Sequence, residues 1–304
     1  MRGQSVVDEH IASGNRFAAQ QQWVQAIAEY RQAIRLAPAS ADAHYDLANA
    51  LAAKGDLNSA VAEYRKAARL QPGDPEIYNN LALAVAKLGQ TAGAVAAYRQ
   101  AIHIKPGFAD AHYNLANVLE ATGDFKEAIA EYHKALQLEP DSSEAHNNLA
   151  NALRAEKDID GAITEYQQAI RLTPQYAAAH FNLGNALADK GDLAGAIQEY
   201  RVTLLLQPDD EAAQENLAYA FSRKGDLNRA IFEYRWAAQN HPHSALARYN
   251  LGSVLEKQGD LKDALEQYNI ASTLDSSNPQ YRAGYQRLLA ASKKQNEDAA
   301  GVRP

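Results

Sequence analysis

The sequence predicts an all-α protein built from eight 34-residue helix–turn–helix repeats and one further helix that caps the last repeat. Three observations predict this fold. Prolines recur every 34 residues, Ala and Tyr recur at two fixed places in each interval, and the apolar positions of each interval form two sets with helical spacing. The prolines are Pro38, Pro72, Pro106, Pro140, Pro174, Pro208 and Pro242.

The repeat boundaries follow from placing each proline at position 32 of its unit. Position 20 is then Ala and position 24 is Tyr in all eight units, while position 8 is always Gly or Ala. The small residues let the paired helices approach, and the tyrosine fills the space between them. No unit can bury its apolar face alone, so neighbouring units must stack. The repeats span residues 7–40, 41–74, 75–108, 109–142, 143–176, 177–210, 211–244 and 245–278, after an N-terminal extension of residues 1–6.

The turns have the chemistry that two helices need at their ends. A Gly-Asp pair such as Gly55-Asp56 separates the helices in five repeats, because Gly suits a left-handed C′ position and Asp is a good N-cap. Asp124 and Glu127 have the spacing of a capping box. The proline at position 32 ends the second helix.

The C-terminal residues continue the repeat frame for one helix only. Residues 279–294 place apolar side chains at repeat positions, but position 8 is the large polar Gln286. This replacement predicts a capping helix against which no second helix packs. Residues 295–304 are polar, so we expect a disordered tail.

The fourth unit carries a set of residues typical of one repeat family: at positions 7, 8, 20, 24, 27 and 32 it has Leu115, Ala116, Ala128, Tyr132, Ala135 and Pro140. This set resembles the tetratricopeptide repeat. The resemblance implies a right-handed α-solenoid, with first helices lining a concave groove and second helices forming the convex back. Segments 112–117 and 146–151 are most similar to the repeats of O-linked N-acetylglucosamine transferase. No segment remains for its catalytic domain.

Composition excludes several classes of function. The net charge is −7 and there is no Cys, so disulfides and thiolate metal sites are excluded. The acidic balance disfavours nucleic-acid binding. Neither a signal peptide nor a membrane span is predicted, and we expect a cytoplasmic protein. No phosphate loop or nucleophile motif occurs, so we expect neither an enzyme nor a cofactor.

Asparagine recurs on the exposed face of the first helices. An amide donates and accepts hydrogen bonds, so a ladder of amides can pair with the backbone of an extended peptide. In the transferase that these repeats resemble, such a ladder is understood to grip substrate polypeptides. The alternative is that Asn is simply a soluble residue on a solvated face. Position 6 supplies Asn80, Asn114, Asn148, Asn182, Asn216 and Asn250, and position 9 supplies Asn15, Asn49, Asn117, Asn151 and Asn185.

Side chains beside the ladder predict a groove of two characters. A ligand would present basic residues to repeats 1 to 5 and apolar residues to repeats 6 to 8, unless the acids merely solvate the face. Position 2 is acidic in Asp8, Asp42, Glu76, Asp110 and Glu144, then becomes Ala178, Ala212 and Leu246. Phe181, Tyr219 and Tyr249 add apolar surface to the later repeats.

Other repeated polar residues are interpreted as structural. Acids at position 2 and Asn at position 6 do not match the basic clamp that some tetratricopeptide domains use for chaperone tails. Histidines at position 4 lie too far apart for one metal ion, so we expect packing at the helix flank and no metal. Glutamates at position 23, such as Glu63, Glu131 and Glu165, are interpreted as a solvated face. The histidines are His10, His44, His112, His146 and His180.

One apolar strip departs from the repeat background on the second helices. Phe232 and Trp236 lie four residues apart, with Val202 and Ile270 in the adjacent units. If these side chains are exposed, they favour self-association or binding of a second partner. If they are buried, they only pack against neighbouring helices. The sequence therefore predicts a protein–protein interaction scaffold. An assembly protein that uses this strip and the substrate-recruiting region of a larger enzyme are the alternatives.

Overall fold

The structure is a computed structural model that describes the backbone of residues 2–301 and the side chains of residues 6–293. Within this part of the chain there are seventeen α-helices and no strand, which confirms the predicted all-α repeat fold. The helices fall into two compact units, Met1–Lys157 and Asp158–Pro304.

The helices of unit 1 are α1 (Arg2–Ala19), α2 (Trp23–Leu36), α3 (Ala41–Lys54), α4 (Leu57–Leu70), α5 (Pro75–Lys87), α6 (Thr91–Ile104), α7 (Ala109–Thr122), α8 (Phe125–Leu138) and α9 (Ser143–Ala155). Those of unit 2 are α10 (Ile159–Leu172), α11 (Ala177–Lys190), α12 (Leu193–Leu206), α13 (Glu211–Lys224), α14 (Leu227–Asn240), α15 (Ala245–Gln258), α16 (Leu261–Leu274) and α17 (Pro279–Gly301).

Each unit is a stack of helix pairs. Within unit 1, from α1 to α9, every helix packs against the next one along the chain, and neighbouring odd-numbered helices also touch each other. Unit 2 repeats this arrangement from α10 to α17. The odd-numbered helices are the first helices of the repeats, and we call the exposed side that they share within one unit the first-helix face.

Small residues and tyrosines form the core as the repeat pattern predicts. The Ala at position 20 is 0% exposed in every repeat, and the Tyr at position 24 lies buried beside it. A Cβ atom added to Gly184 would lie only 2.7 Å from the ring of Tyr200, and one added to Gly14 only 2.5 Å from Tyr30. The tyrosine therefore occupies the space that a small residue at position 8 leaves open.

The Gly-Asp turns form as predicted, with one exception. Gly55 adopts φ 92°, in the left-handed region, and Asp56 Oδ1 accepts a hydrogen bond from the Ser59 backbone N–H at 3.2 Å. The capping box predicted at Asp124 and Glu127 is wrong, because the Asp124 side chain does not cap α8. Its Oδ2 instead accepts a hydrogen bond from the Thr122 hydroxyl at 3.1 Å.

Both ends of the chain are more helical than the sequence predicted. Helix α1 begins at Arg2, inside the predicted extension of residues 1–6, and α17 continues to Gly301, beyond the predicted end at residue 294. Residues 302–304 of the predicted tail lie outside the described residues. Tyr281 and Leu288 of α17 are buried, and α17 packs on α16. No helix within residues 2–301 is long and apolar enough to cross a lipid bilayer.

Candidate functional site

Asparagines of neighbouring repeats meet in a hydrogen-bonded cluster between α3 and α5 of unit 1. The Tyr64 hydroxyl donates to Asn49 Oδ1 at 2.6 Å, and Asn80 Nδ2 donates to the same oxygen at 3.4 Å. Asn80 Nδ2 also donates to the Tyr45 hydroxyl at 2.7 Å. Asn79 Nδ2 donates to Asn80 Oδ1 at 3.3 Å. Asn80 is therefore held from both ends of its amide.

The same cluster recurs 68 residues later, between α7 and α9. The Tyr132 hydroxyl lies 2.6 Å from Asn117 Oδ1, and Asn148 Nδ2 donates to Asn117 Oδ1 and to the Tyr113 hydroxyl, both at 3.1 Å. Glu120 Oε2 lies 2.6 Å from the Tyr132 hydroxyl and competes for its single proton. The cluster therefore recurs at the same repeat positions within unit 1.

Unit 2 contains a reduced form of the cluster. Tyr200 donates to Asn185 Oδ1 at 2.9 Å, and Asn216 Nδ2 donates to the same oxygen at 2.8 Å. Phe181 occupies the place of Tyr45 and packs on the Tyr200 ring at 6.1 Å between centroids. The oxygens of these position 9 amides thus join repeats, which leaves N–H groups of their Nδ2 atoms as the possible contacts for a ligand.

An aspartate takes the ladder position in the second repeat. Asp46 lies on α3 where six later repeats carry Asn, and it is half-buried. Burial raises the pKa of Asp46 to about 6, and the nearby Asp42 carboxylate adds to the effect. A carboxylate is therefore disfavoured at this place.

The acidic side chains of unit 1 lie on the first-helix face. Asp8, Asp42, Glu76, Asp110 and Glu144 are all exposed.

A cavity of about 220 Å³ lies between α7, α8 and α9, and its wall includes Asp110, Tyr113, Glu139 and Glu144. Three carboxylates beside an aromatic ring and alanines suit a cationic side chain with an aliphatic stem.

The apolar residues predicted for the later repeats lie on the first-helix face of unit 2, but they differ in exposure. Tyr219 is 55% exposed and Leu246 45% exposed. Tyr249 is instead partly buried, with its ring centroid 5.3 Å from that of Tyr268 and 5.0 Å from that of Tyr281. Tyr219 and Leu246 therefore offer more apolar surface to a ligand than Tyr249 does.

The glutamates at position 23 are not a solvated face. Glu131 is only 8% exposed, and its Oε2 lies 2.5 Å from His112 Nδ1. His112 Nε2 lies 3.0 Å from the carbonyl oxygen of Pro106 in the preceding repeat. The histidine therefore connects both helices of its own repeat to the loop before it, which is a more specific role than flank packing. Equivalent pairs are His10–Glu29 at 2.7 Å, His44–Glu63 at 2.6 Å and His180–Glu199 at 2.6 Å.

The position 4 and position 23 side chains also pair where the residue types change. Gln214 Nε2 donates to Glu233 at 2.7 Å, and Arg248 donates to Gln267 at 3.0 Å.

Burial raises the pKa of Glu63, but hydrogen bonds from Lys66 and His44 outweigh burial and leave this pKa below its usual value. Within residues 6–293, no three His, Asp or Glu side chains are grouped to hold a metal ion.

The apolar strip on the second helices of unit 2 is partly exposed. Phe232 is 66% exposed, whereas Trp236 is half-buried with its ring centroid 6.5 Å from that of His241. Val202 and Ile270 are partly buried. Sequence reasoning missed Leu205 on α12, which is 81% exposed. Its place in the run of three leucines that ends α12 was the available signal.

Sequence profiles of known families match most of the chain. Profiles described as TPR repeat or tetratricopeptide repeat match residues 14–55, 48–89, 85–152, 119–164, 150–191, 177–210 and 215–279. The chain belongs to the tetratricopeptide repeat family. No curated protein sequence matches this tetratricopeptide repeat chain.

Solved structures share the fold of this tetratricopeptide repeat protein. A MamA protein is 25% identical with a TM-score of 0.54, covering 56% of this chain and 93% of its own. YrrB, described as a TPR protein with an unusual peptide-binding site, is 21% identical with a TM-score of 0.54, covering 64% and 97%. The Cut9–Hcn1 hetero-tetramer of the APC/C matches at 16% identity and a TM-score of 0.57, covering 88% and 52%.

Proposed function

We propose that this protein is an interaction scaffold that holds an extended, basic segment of a partner protein on the first-helix face of unit 1. The observation that carries the proposal is the cavity of about 220 Å³ between Asp110, Glu139 and Glu144. A Lys or Arg side chain places its charge among the three carboxylates and its stem against Tyr113. No catalytic role is proposed, and the scaffold is proposed to act in the cytoplasm.

The asparagines support recognition of the ligand backbone. Asn49 and Asn117 are half-buried on the first-helix face. Their oxygens accept hydrogen bonds from the next repeat, so their Nδ2 groups are the atoms that can donate to a ligand. An N–H donor that is fixed in place pairs with a peptide carbonyl whatever the side chain that follows. The resemblance of these repeats to those of O-linked N-acetylglucosamine transferase and the peptide-binding site described for YrrB favour the same mode.

Unit 2 is proposed to bind apolar residues of a ligand. Tyr219 and Leu246 together offer an exposed aromatic and an exposed aliphatic group on the first-helix face of that unit. Exposed aromatic side chains are common anchors in protein interfaces.

Selection from a random 12-residue peptide library on the immobilised protein tests the proposal. We expect selected peptides rich in Lys and Arg, with affinity that falls as salt rises. The change Asp110→Lys should weaken binding about fivefold, as for the loss of roughly 1 kcal/mol at an exposed charge pair. Asp209→Lys, in the exposed loop before α13, is the matched control and should change little. Binding that ignores both salt and Asp110→Lys would remove the basic-segment proposal.

The second candidate is an assembly role for the apolar strip of unit 2. The 66% exposure of Phe232 and 81% exposure of Leu205, on two second helices of this unit, favour it, because contiguous apolar surface marks interaction sites. Light scattering at rising concentration should then show self-association that Phe232→Glu removes. A monomer at all concentrations would remove the homo-oligomer role.

A further inference from the structure

A second cavity, of about 180 Å³, lies beside Asn49 in unit 1 and is separate from the acidic cavity. We call it the junction cavity, since it lies where α3, α4 and α5 meet. Its lining combines apolar and polar side chains. The lining residues are Asn49, Ala52, Leu57, Tyr64, Asn80, Leu83, Ala84 and Lys87.

Two polar residues of the junction cavity lining, Asn49 and Lys87, can donate hydrogen bonds to a ligand. Asn49 Oδ1 already accepts from Tyr64 and Asn80, and its Nδ2 group also hydrogen-bonds Tyr45, which leaves one N–H of Nδ2 for a ligand. Lys87 makes no ion pair with another described side chain, and an ammonium group can only donate. A ligand with an acceptor oxygen therefore matches these two donors.

One apolar residue that lines the junction cavity is open to solvent. Leu83 is 40% exposed although it is a large aliphatic residue on a first helix. Leu83 stands at position 9, where five other repeats carry Asn. For scale, a dry cavity of about 150 Å³ holds a benzene molecule, so this one is large enough for a Leu side chain.

We infer that the junction cavity receives a Leu-sized apolar side chain of an extended peptide, whose adjacent backbone carbonyl accepts from Asn49 Nδ2 and Lys87. The inference rests on the proposed peptide-binding function and adds an anchor residue to it. The acidic cavity takes a basic residue of the ligand and the junction cavity takes an apolar one. The two repeat junctions are thus not equivalent for a ligand.

The junction of α7, α8 and α9, two repeats later in unit 1, has a different lining at the equivalent place. Residues 68 positions later replace Ala52 by Glu120 and Leu57 by Phe125. Glu120 contacts the Tyr132 hydroxyl at 2.6 Å. Larger side chains therefore stand at two lining positions and the smaller Ala155 stands in place of Lys87, although the same amide cluster is present. This comparison also supplies a substitution that the chain already tolerates at an equivalent position.

N-acetyl-leucine N-methylamide is a minimal probe, because it carries one Leu side chain between two peptide carbonyls. Its titration into the full protein, followed by NMR of side-chain amides and methyl groups, should shift Asn49 Nδ2–H and the Leu83 methyl signals saturably. N-acetyl-alanine N-methylamide should bind roughly fiftyfold more weakly, because it buries three fewer carbons. Equal binding of the two probes, or the absence of any shift at Asn49, overturns the inference.

Two variants test the anchor and the donor separately. Leu57→Phe should fill the junction cavity and lower the affinity for the leucine probe about tenfold, while Leu193→Phe at the same repeat position in unit 2 should leave it unchanged. Asn49→Asp keeps an oxygen for Tyr64 and Asn80 but replaces the donor by an acceptor. It should weaken the probe roughly tenfold. Retained affinity in either Leu57→Phe or Asn49→Asp contradicts the inference.

The library peptides distinguish the inference from the proposed function. Asn49→Asp adds negative charge, so recognition through basic side chains alone would become stronger, whereas recognition through the Asn49 donor becomes weaker. If basic peptides bind and Asp110→Lys weakens them but Asn49→Asp does not, the proposed function stands and this inference fails. If the leucine probe binds while no peptide depends on Asp110, the junction cavity stands and the basic-segment proposal fails.

Discussion

The hydroxyl of Tyr64 donates to Oδ1 of Asn49 at 2.6 Å, which connects a core tyrosine to the ladder of surface amides. Asn80 of the following repeat donates to the same oxygen. The ladder is therefore part of the joint between repeats as well as a candidate binding surface. Because the shared oxygen fixes the amide orientation, a ligand meets an N–H group at Asn49 in a fixed direction.

Tyr64→Phe should destabilise the protein by about 1 kcal/mol, the net value of a typical hydrogen bond between neutral groups. The measurement is the free energy of unfolding from urea titration. Tyr98→Phe is the matched control, since Tyr98 is equally buried but its repeat has Leu83 in place of the accepting Asn. Burial alone raises the pKa of Tyr98 to about 12. Equal losses in the two variants would contradict a stabilising role for the Tyr64–Asn49 bond.

Glu131→Ala should cost about 3 kcal/mol, because it leaves His112 buried without its partner. Glu29→Ala breaks the equivalent pair with His10, which is about a third exposed, so its cost should stay below about 1 kcal/mol. Urea unfolding at neutral pH compares the two. His112→Gln should keep much of the stability, as Gln214 already pairs with Glu233 in repeat 7. Similar costs for Glu131→Ala and Glu29→Ala would show that burial of the pair is unimportant.

Asp46→Asn should stabilise the protein at neutral pH and remove one component of its pH dependence. The pKa of Asp46 rises from 3.8 to about 6 on folding, so the folded state holds a proton that the unfolded state releases. Stability of the unmodified protein should fall as pH rises between these values and then level off.

The full shift of the Asp46 pKa corresponds to roughly 3 kcal/mol. We reduce this to about 1 kcal/mol, because Asp46 is partly open to water, which screens its charge. The difference in unfolding free energy between Asp46→Asn and the unmodified protein should therefore grow by about 1 kcal/mol from pH 4 to pH 7. A difference that stays constant with pH would show that Asp46 ionises normally in the fold.

The repeat frame was predictable because local chemistry decides it. The recurring roles in the repeat match the intrinsic preferences of the residue types. This holds for Gly and Asp at the turns, for Ala at position 20 and for Tyr at position 24. Two turns depart from this chemistry, since Gln21 and Lys157 adopt φ 57° and 70° where other repeats use Gly. Helix packing holds these residues in a conformation that their own preference opposes.

The side-chain partners were harder to predict, since they depend on the register between helices. His112 and Glu131 are 19 residues apart, and each looks polar and exposed within its own helix. The sequence contains one indication that positions 4 and 23 pair. In repeat 3 both positions differ from His and Glu, since position 4 is Tyr78 and position 23 is Ala97. The double use of Asn49 Oδ1 left no such trace, because Asn is equally suited to a solvated face.

NMR of the protein with 15N-labelled asparagine, titrated with a library-selected basic peptide, tests the central claim most directly. The claim predicts saturable shifts of the Asn49 and Asn117 side-chain amides, which Asp110→Lys and high salt both reduce. Shifts confined to signals around Phe232 and Trp236, or none in the amides of unit 1, would contradict peptide binding on the first-helix face.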